Sequence, residues 1–246
     1  MPPIDKQTFS ISDIHLDCFG RLKPSVLFYL VQEVAGQHCN LLAVDWDTLA
    51  QKNLFWAVTR HRVQITRLPQ QGETITLETW PMPTTKVAFP RSVVAYDQQG
   101  NELFRSISIW VLMDRSTRAM VLPGKSGVLV DGTLRGTELA APRSLIPTPA
   151  QNTASYTVGY TLLDKNGHMN NAKYLDWVSD LLPSQFHKDH PLRDITVCYH
   201  NEAREGQQIQ LSWDLTDGPV LQVDAHRAST DVSGSQDRVF SAKLEF

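Results

Sequence analysis

The sequence is poor in cysteine and has almost no excess of charge. Its 246 residues include three cysteines, an odd number that are spaced far apart, and this pattern argues against a disulfide framework. The formal net charge is -3 and both signs are scattered, so the overall charge does not point to nucleic acid or an anionic membrane as a partner. We therefore expect a protein of a reducing compartment and predict a cytoplasmic location.

Long apolar runs are lacking as well. No window approaches the ~18 consecutive apolar residues of a membrane span, and residues 1–10 do not have the layout of a signal peptide. The histidines and cysteines show no metal-ligand spacing. There is no phosphate-binding glycine loop, dinucleotide fingerprint or Gly-x-Ser-x-Gly elbow. The sequence thus predicts no membrane segment, no metal and no cofactor.

What the sequence does contain is an α+β pattern. Residues 23–44 are amphipathic and predict a helix with Pro24 in its first turn. Its apolar face carries Leu27, Leu30, Val31, Val34, His38 and Leu41. Strand-forming residues, partly in alternation with polar ones, then predict four strands, over 55–66, 73–80, 86–96 and 103–113. A helix followed by consecutive antiparallel strands is typical of α+β domains.

The same order of elements returns after a break. Proline and glycine interrupt every candidate element between residues 115 and 153, which we interpret as a linker that crosses the surface. Beyond it we predict a strand, a helix that Pro183 ends, and four more strands, at 155–163, 170–182, 194–203, 207–213, 220–227 and 238–246. The predicted organisation is an N-terminal domain at 1–120, a linker at 121–152 and a C-terminal domain at 153–246.

A short repeat supports duplication of one unit. Gly72, Ile75, Leu77 and Trp80 are matched at the same spacing by Gly206, Ile209, Leu211 and Trp213. Two unrelated hairpins would explain this match by itself, but the repeated order of elements favours duplication. A long helix wrapped by a curved antiparallel sheet is the hot-dog unit. By analogy, two tandem units would form a continuous antiparallel sheet around two long helices.

Polar residues with catalytic chemistry concentrate in residues 164–177. Asp164, Asn166 and His168 bring a carboxylate, an amide and an imidazole into a strand-to-helix turn, and Asn170 is a natural N-cap for the helix that follows. A helix start offers N–H groups to a carbonyl oxygen that gains negative charge. Each residue also has a structural interpretation, because Asp, Asn, Gly and His occur in ordinary turns and the aromatic residues of the helix fit a core.

This run, D-x-N-x-H-x-N-N-x-x-Y-x-x-W, resembles the active-site segment of the acyl-acyl-carrier-protein (acyl-ACP) thioesterases. The likeness extends over nearly the whole chain, since residues 54–80 and 108–113 resemble the N-terminal half of that family and Tyr199-His-Asn-Glu202 resembles its Y-x-x-E segment. The resemblance implies a hydrolase of fatty acyl-ACP thioesters, in fatty acid biosynthesis. It also implies that Asp164, Asn166, His168 and Glu202 are active-site groups.

The sequence departs from the plant members at one position. In those enzymes a cysteine follows the glutamate, whereas here the residue is Ala203, and Cys198 fits a buried strand position. With no thiol at this place, we favour direct attack by water, with Glu202 or His168 taking the proton. The sequence leaves the choice between these two bases open.

The hypothesis gives the remaining polar residues supporting roles. Asn166 would orient the water or the carbonyl group, and Asp164 would fix the turn and the imidazole. N–H groups near Asn170 and Asn171 would stabilise the oxyanion.

The N-terminal half lacks an equivalent cluster, since residues 17–22 read Asp-Cys-Phe-Gly-Arg-Leu. By analogy it holds the acyl chain, with Trp56 and Phe28 as candidate wall residues and ordinary core as the alternative. Partners implied by the resemblance are acyl carrier protein with its acyl-phosphopantetheine and a second copy of the chain, because hot-dog units often pair through sheet edges. Candidates to meet the acidic surface or the phosphopantetheine phosphate of the carrier, unless they are simply solvated, are Arg60, Arg62, Arg67 and Arg91.

Three other functions share features with this sequence. An acyl-CoA thioesterase of the wider hot-dog family shares the G-H-x-N-N-x-x-Y run. A hot-dog enoyl-thioester hydratase or dehydratase carries D-x-N-P-x-H, in which the histidine lies one position later than His168 does. A non-catalytic acyl-binding protein would hold the ligand without turnover.

Overall fold

The computed structural model describes residues 4–136, 138–228 and 237–246. The chain divides into two compact units, one of Met1–Lys23 and Leu27–Pro142 and the other of Pro24–Val26 and Arg143–Phe246. We call them the first and the second unit. Within the described residues, no helix combines the length and the apolar character needed to cross a bilayer.

The first unit contains an antiparallel sheet and a long helix. Helix α1 (Pro24–Leu41) begins with proline in its first turn, as predicted, and its Leu27, Phe28 and Val34 are fully buried. Leu41 is 67% exposed at the last helical residue, so the prediction that it shares the buried face is wrong. The strand order is β1-β3-β4-β5-β2, with β6 paired to β5. The strands are β1 (Asp5–Ser10), β2 (Leu54–Ile65), β3 (Thr74–Pro81), β4 (Phe89–Tyr96), β5 (Glu102–Asp114) and β6 (Met120–Val121).

Two elements of this unit carry no apolar pattern and were not predicted. Strand β1 is mostly polar and pairs along its whole length with β3, at one end of the strand order. A mostly polar strand is tolerated at the edge of a sheet, because one of its faces and its unpaired side can be exposed to solvent. Helix α2 (Trp46–Gln51) starts at Asp45, whose carboxylate accepts the N–H groups of Asp47 and Thr48.

The linker is irregular, as predicted, but it is fastened to the units. After helix α3 (Pro123–Ser126), its described residues contain no helix or strand until Asn152. The Thr133 N–H donates to Pro81 O at 3.0 Å, and a side chain on Gly132 would overlap the backbone of Met82. In the second unit, Arg238 donates to Leu145 O at 3.1 Å. Backbone groups of the linker are therefore satisfied by the surfaces that it crosses.

The strands of the second unit are antiparallel neighbours in the order β8-β11-β10-β9-β7. Its apolar positions alternate as predicted, and Ile209 and Leu211 are fully buried. The strands are β7 (Asn152–Thr157), β8 (Asp194–Tyr199), β9 (Gln208–Thr216), β10 (Val220–Arg227) and β11 (Arg238–Glu245), and the helices are α4 (Tyr174–Ser179) and α5 (Ser184–Asp189).

The helix of the second unit is much shorter than expected. It starts where the sequence predicts, with Asn170 capping a 3-10 turn at Asn171–Lys173, but α4 has six residues against 18 in α1. Pro183 prevents a helix beyond residue 182, but the α-helical ladder ends before it, since Leu181 and Leu182 donate to Val178 O and Ser179 O, only three residues back. The expectation of two long helices holds for the first unit alone.

Backbone hydrogen bonds support the predicted duplication. Gly72 and Gly206 both have φ +78°, and their N–H groups donate at 2.9 Å to Ile11 O and Val158 O respectively. A residue with a Cβ is strained in this left-handed conformation. The same turn thus opens β3 in the first unit and β9 in the second.

This turn generates a stability prediction. Gly72→Ala should lower the free energy of unfolding by about 1–2 kcal/mol, because alanine is strained at positive φ. Gly36→Ala should raise it by about 0.5–1 kcal/mol, since Gly36 is exposed inside α1 and nothing lies within 4 Å of an added Cβ. Urea denaturation of both variants measures the two effects, and shifts of the same sign would contradict the prediction.

Candidate active site

The candidate site starts from a turn closed by one carboxylate. The Asp164 Oδ1 accepts the N–H of Asn166 at 2.8 Å and that of His168 at 3.3 Å, while the Asp164 N–H donates to His168 O at 2.7 Å. Gly167 completes the turn with φ +75°. Asp164 therefore acts as the turn former that its residue type predicts, and it fixes the backbone of His168.

His168 and Glu202 lie in contact. The His168 Nε2 is 3.0 Å from the Glu202 Oε2, and the side chains are 13% and 37% exposed respectively. The imidazole is thus mostly shielded while the carboxylate reaches solvent. A carboxylate and an imidazole at this distance can share the uptake and return of a proton. The predicted meeting of these two residues is present, while their catalytic roles stay predictions.

Asn166 lies on the solvent side of the same turn. It is exposed, and its side-chain Nδ2 is 3.3 Å from the Asp164 Oδ2. The amide is therefore beside the carboxylate that shapes the turn. Its proposed role in orienting water or the carbonyl group stays a prediction.

The helix start offers less to an oxyanion than expected. The Asn170 N–H donates to Leu162 O at 2.8 Å, and the Asn170 side chain accepts the Ala172 N–H at 2.9 Å. The N–H of Asn170 itself is thus already bonded, while the expectation that N–H groups near Asn170 and Asn171 stabilise the oxyanion stays a prediction. The Asn171 N–H is left as the candidate donor, and the dipole of a six-residue helix adds little to it.

One residue outside the predicted cluster contacts the backbone beside Glu202. The Arg227 Nη2 donates to Glu202 O at 2.9 Å. Tyr174 packs in the core as its helical spacing predicts, and burial raises the pKa of this phenol above its ordinary range. Arg227 carries no sequence signal, since it lies on a distant strand. Tyr174 stands in the motif itself.

The first unit contains the same turn, but it lacks the histidine and the glutamate of the second unit. The Asp17 Oδ1 accepts the N–H groups of Phe19 and Arg21 at 2.8 and 2.9 Å, as Asp164 does in the second unit. Single-residue bridges join Arg21 to Gln70 and, in the second unit, His168 to Arg204. By this correspondence Arg21 stands at the place of His168, and Leu68 at the place of Glu202. An aspartate is thus used to build this turn whether or not an acid–base pair is present.

No thiol occupies the place where the plant enzymes carry one. Ala203 is fully buried, and its carbonyl accepts the Met169 N–H at 2.8 Å. Cys198 is 2% exposed within β8, and its Sγ is 3.7 Å from Arg143 O. The interpretation of Cys198 as a buried strand residue is confirmed.

The candidate acyl-chain residues belong to the core of the first unit. Phe28 is fully buried, with its ring centroid 4.1 Å from that of His61. Trp56 donates from Nε1 to Val44 O at 2.8 Å and meets Phe89 edge-on at 4.9 Å. Both positions agree with ordinary core packing, and a wall role for Phe28 or Trp56 stays a prediction.

Arg91 does not lie where a carrier protein could meet it. It is 7% exposed and donates from Nη1 to His38 Nδ1 at 2.9 Å and to Thr79 Oγ1 at 3.1 Å. The suggestion that it meets an acidic carrier is therefore wrong. Residues 89–95 of β4 are all buried, so both faces of this strand are covered and the arginine lies inside with its neighbours.

Comparison with solved structures shows which fold the chain has. The chain matches an acyl-ACP thioesterase from Bacteroides thetaiotaomicron with a TM-score of 0.86 and 24% identity, covering 99% of this chain and 97% of that one. It matches the 12:0-ACP thioesterase of Umbellularia californica with a TM-score of 0.82 and 21% identity, covering 98% and 96%. The fold is that of the hot-dog thioesterases, as predicted.

Sequence comparison identifies the family. The acyl-ACP thioesterase N-terminal domain matches residues 4–122, and the C-terminal domain matches residues 147–238. The palmitoyl-acyl carrier protein thioesterase of Gossypium hirsutum is 27% identical over 219 residues, which are 83% of this chain and 53% of that protein. An oleoyl-acyl carrier protein thioesterase of Coriandrum sativum is 26% identical over 234 residues, 87% of this chain and 61% of that protein. The chain belongs to the acyl-ACP thioesterase family, and it spans about half the length of the first curated relatives.

The two aspartate turns give a prediction about Asp164. Asp164→Asn keeps an oxygen that can accept the N–H groups of Asn166 and His168, so thiol release from an acyl thioester should stay within about tenfold of wild type. Asp164→Ala should lower it about 100-fold, because a misplaced catalytic group costs this much. Asp17→Ala is the matched control and should leave the rate unchanged. Equal losses in Asp164→Asn and Asp164→Ala would mean that the charge itself takes part.

His61 gives a prediction about pH. Burial lowers its pKa to about 3, whereas a solvated imidazole has a pKa of about 6.5. Between these values the unfolded chain binds a proton that the folded chain excludes, so the free energy of unfolding falls as the pH falls from about 6.5 to about 3. His61→Gln retains a group that can bond Ser106 and should flatten this dependence by up to about 1.4 kcal/mol per pH unit. Urea denaturation across this range measures it, and parallel curves for the two proteins would contradict it.

Proposed function

We propose that this protein hydrolyses the thioester of a fatty acyl-ACP and releases a free fatty acid and the phosphopantetheine thiol of the carrier. The observation that carries the proposal is the contact of His168 and Glu202, 3.0 Å apart, in a chain of the acyl-ACP thioesterase family. Relatives in that family are named palmitoyl- and oleoyl-acyl carrier protein thioesterases.

The proposed reaction uses water as the nucleophile. Water attacks the thioester carbon while Glu202 or His168 accepts its proton, and the carbonyl oxygen becomes an oxyanion. The Asn171 N–H stabilises that charge, and Asn166 orients the water or the carbonyl. The tetrahedral intermediate then expels the carrier thiolate, which takes up the proton. A thiolate is a good leaving group, so an acid–base pair and a few donors are enough.

The first unit is proposed to hold the acyl chain. Support comes from its fully buried apolar interior at Phe28 and from the absence of an acid–base pair at its own turn, where Arg21 and Leu68 stand. Acyl carrier protein is the proposed partner that presents the chain.

A cytoplasmic location and a homodimer are part of the same proposal. The three cysteines, all within the described residues, form no disulfide, which suits a reducing compartment. Strands β1 and β7 end the strand orders of the two units and are the sheet edges through which a second copy would pair.

A thiol-release assay tests the activity. Wild-type protein should release thiol from acyl-ACP, and His168→Ala and Glu202→Gln should each lower the rate by about 10²- to 10⁴-fold, the usual contribution of general-base catalysis. Glu205→Gln removes an exposed carboxylate nearby and serves as the control. The pH–rate profiles of the slow variants identify the base. In the variant that lacks the base, the profile should no longer show the rise in rate that accompanies loss of the proton from that group.

Substrate choice separates the alternatives. Parallel assays that compare acyl-CoA with acyl-ACP show which carrier the protein uses. Reversible hydration of a 2-enoyl thioester would identify a hydratase. Full activity in both His168→Ala and Glu202→Gln would overturn the proposed site, and no thiol release from any acyl thioester would overturn the function.

A further inference from the structure

The chain enters Glu202 through a β-bulge at the end of β8. The N–H groups of His200 and Asn201 both donate to Val239 O of β11, at 2.8 and 3.1 Å, just after Tyr199 has ended the strand. Two residues opposite one on the partner strand are the pattern of a β-bulge, which bends a strand and changes where the following side chains point. The direction of Glu202 is therefore set where regular pairing with β11 stops.

The Asn201 side chain ties this bulge to β11. Its Nδ2 donates at 2.8 Å to the carbonyl oxygen of Arg238, the residue before Val239. Backbone pairing of β8 with β11 ends at Tyr199 and Phe240, so the amide extends the contact between these two segments beyond the regular ladder. Asn201 is thus held by β11 through both its backbone and its side chain.

Glu202 lies between two anchored neighbours. On one side Asn201 is bound to β11, and on the other the Ala203 carbonyl accepts the Met169 N–H at 2.8 Å. The Glu202 carboxylate is 3.0 Å from the His168 imidazole, and its side chain is 37% exposed, so packing fixes it only in part. Its direction consequently depends on the backbone to which it is attached.

The first unit provides an internal comparison. The N–H groups of Thr66 and Arg67 both donate to Leu103 O, at 2.9 and 3.1 Å, so the same bulge occurs in this unit. Arg67 takes the place of Asn201, and its guanidinium bonds the Glu73 carboxylate at 2.9 Å and not a carbonyl of β5. The bulge is thus common to both units, whereas the side-chain tie accompanies the unit that has the histidine and the glutamate.

We propose that Asn201 is a positioning residue, which fixes the bulge so that the Glu202 carboxylate stays against His168. The inference rests on the proposed function, because it assigns Asn201 to the same site. Without the amide, residue 201 keeps only its backbone bond to Val239 O, and the peptide before Glu202 can rotate more widely. Rotation about this peptide turns the carboxylate away from the imidazole, and a misaligned catalytic group slows the reaction.

Kinetics of two Asn201 variants test the proposal. Asn201→Ala removes the amide, and Asn201→Asp keeps its size but offers β11 no donor at neutral pH. Each should lower kcat about 10- to 100-fold with KM within about twofold, as expected when alignment is lost and binding is not. Asn101→Ala is the matched control. It removes an amide that donates to the Asp97 carboxylate at 3.0 Å in the first unit, and it should leave kcat unchanged.

A double-mutant cycle shows whether the effect passes through Glu202. In a Glu202→Gln background, Asn201→Ala should lower the rate less than about twofold, because the carboxylate that it aligns is already gone. A loss as large as that in the wild-type background, or wild-type kcat in both Asn201 variants, would overturn the proposal. So would an equal loss in Asn101→Ala.

Crystal structures of the variants separate this inference from the proposed function. In Asn201→Ala the Glu202 Oε2 should lie more than about 3.5 Å from the His168 Nε2, beyond hydrogen-bond distance, whereas Asn101→Ala should keep the wild-type contact. An unmoved Glu202 carboxylate would overturn the inference whether or not the protein is a thioesterase. Wild-type activity in Glu202→Gln would instead remove the proposed role of this carboxylate and leave its alignment by Asn201 measurable.

Discussion

The candidate site depends on one backbone hydrogen bond between two stretches of irregular chain. The Met169 N–H donates to Ala203 O at 2.8 Å, and His168 and Glu202 are the residues immediately before these two partners. Because a main-chain bond limits the positions of both neighbouring Cα atoms, the two side chains leave the backbone close together and meet at 3.0 Å. The Asp164 turn and the Asn170 cap secure the His168 side of this junction, and the Arg227 guanidinium holds the Glu202 carbonyl on the other.

Duplication shows which parts of this junction are scaffold. Asp17 and Asp164 close the same turn, and Gly72 and Gly206 have the same φ. Where the second unit has His168, the first has Arg21, so one backbone design carries an imidazole in one place and a guanidinium in the other. The contact of His168 with Glu202 is thus not needed to form this turn.

Local sequence patterns predicted most strands, since alternation along a strand decides which face it buries. They failed where the outcome depends on neighbours. Pairing with β3 stabilises the polar strand β1, and the Asp45 cap stabilises α2. Neither interaction requires apolar residues at a regular spacing. In the second unit, Pro183 marks the limit of the helix as predicted, but α4 ends at Ser179 because the chain tightens to bonds of three-residue spacing at Leu181 and Leu182.

The sequence by itself determined the class of fold, the turn at Asp164 and the presence of His168 on it, because these follow from spacing and from residue types that act within a few positions of each other. It also determined that no thiol stands after Glu202. Only the tertiary structure decided that the Asn170 N–H is bonded to Leu162 O, that Arg91 is buried, and that Arg227 reaches the peptide beside Glu202. These are contacts between residues far apart in the chain, and their geometry is fixed by sheet register and packing, which no local pattern encodes.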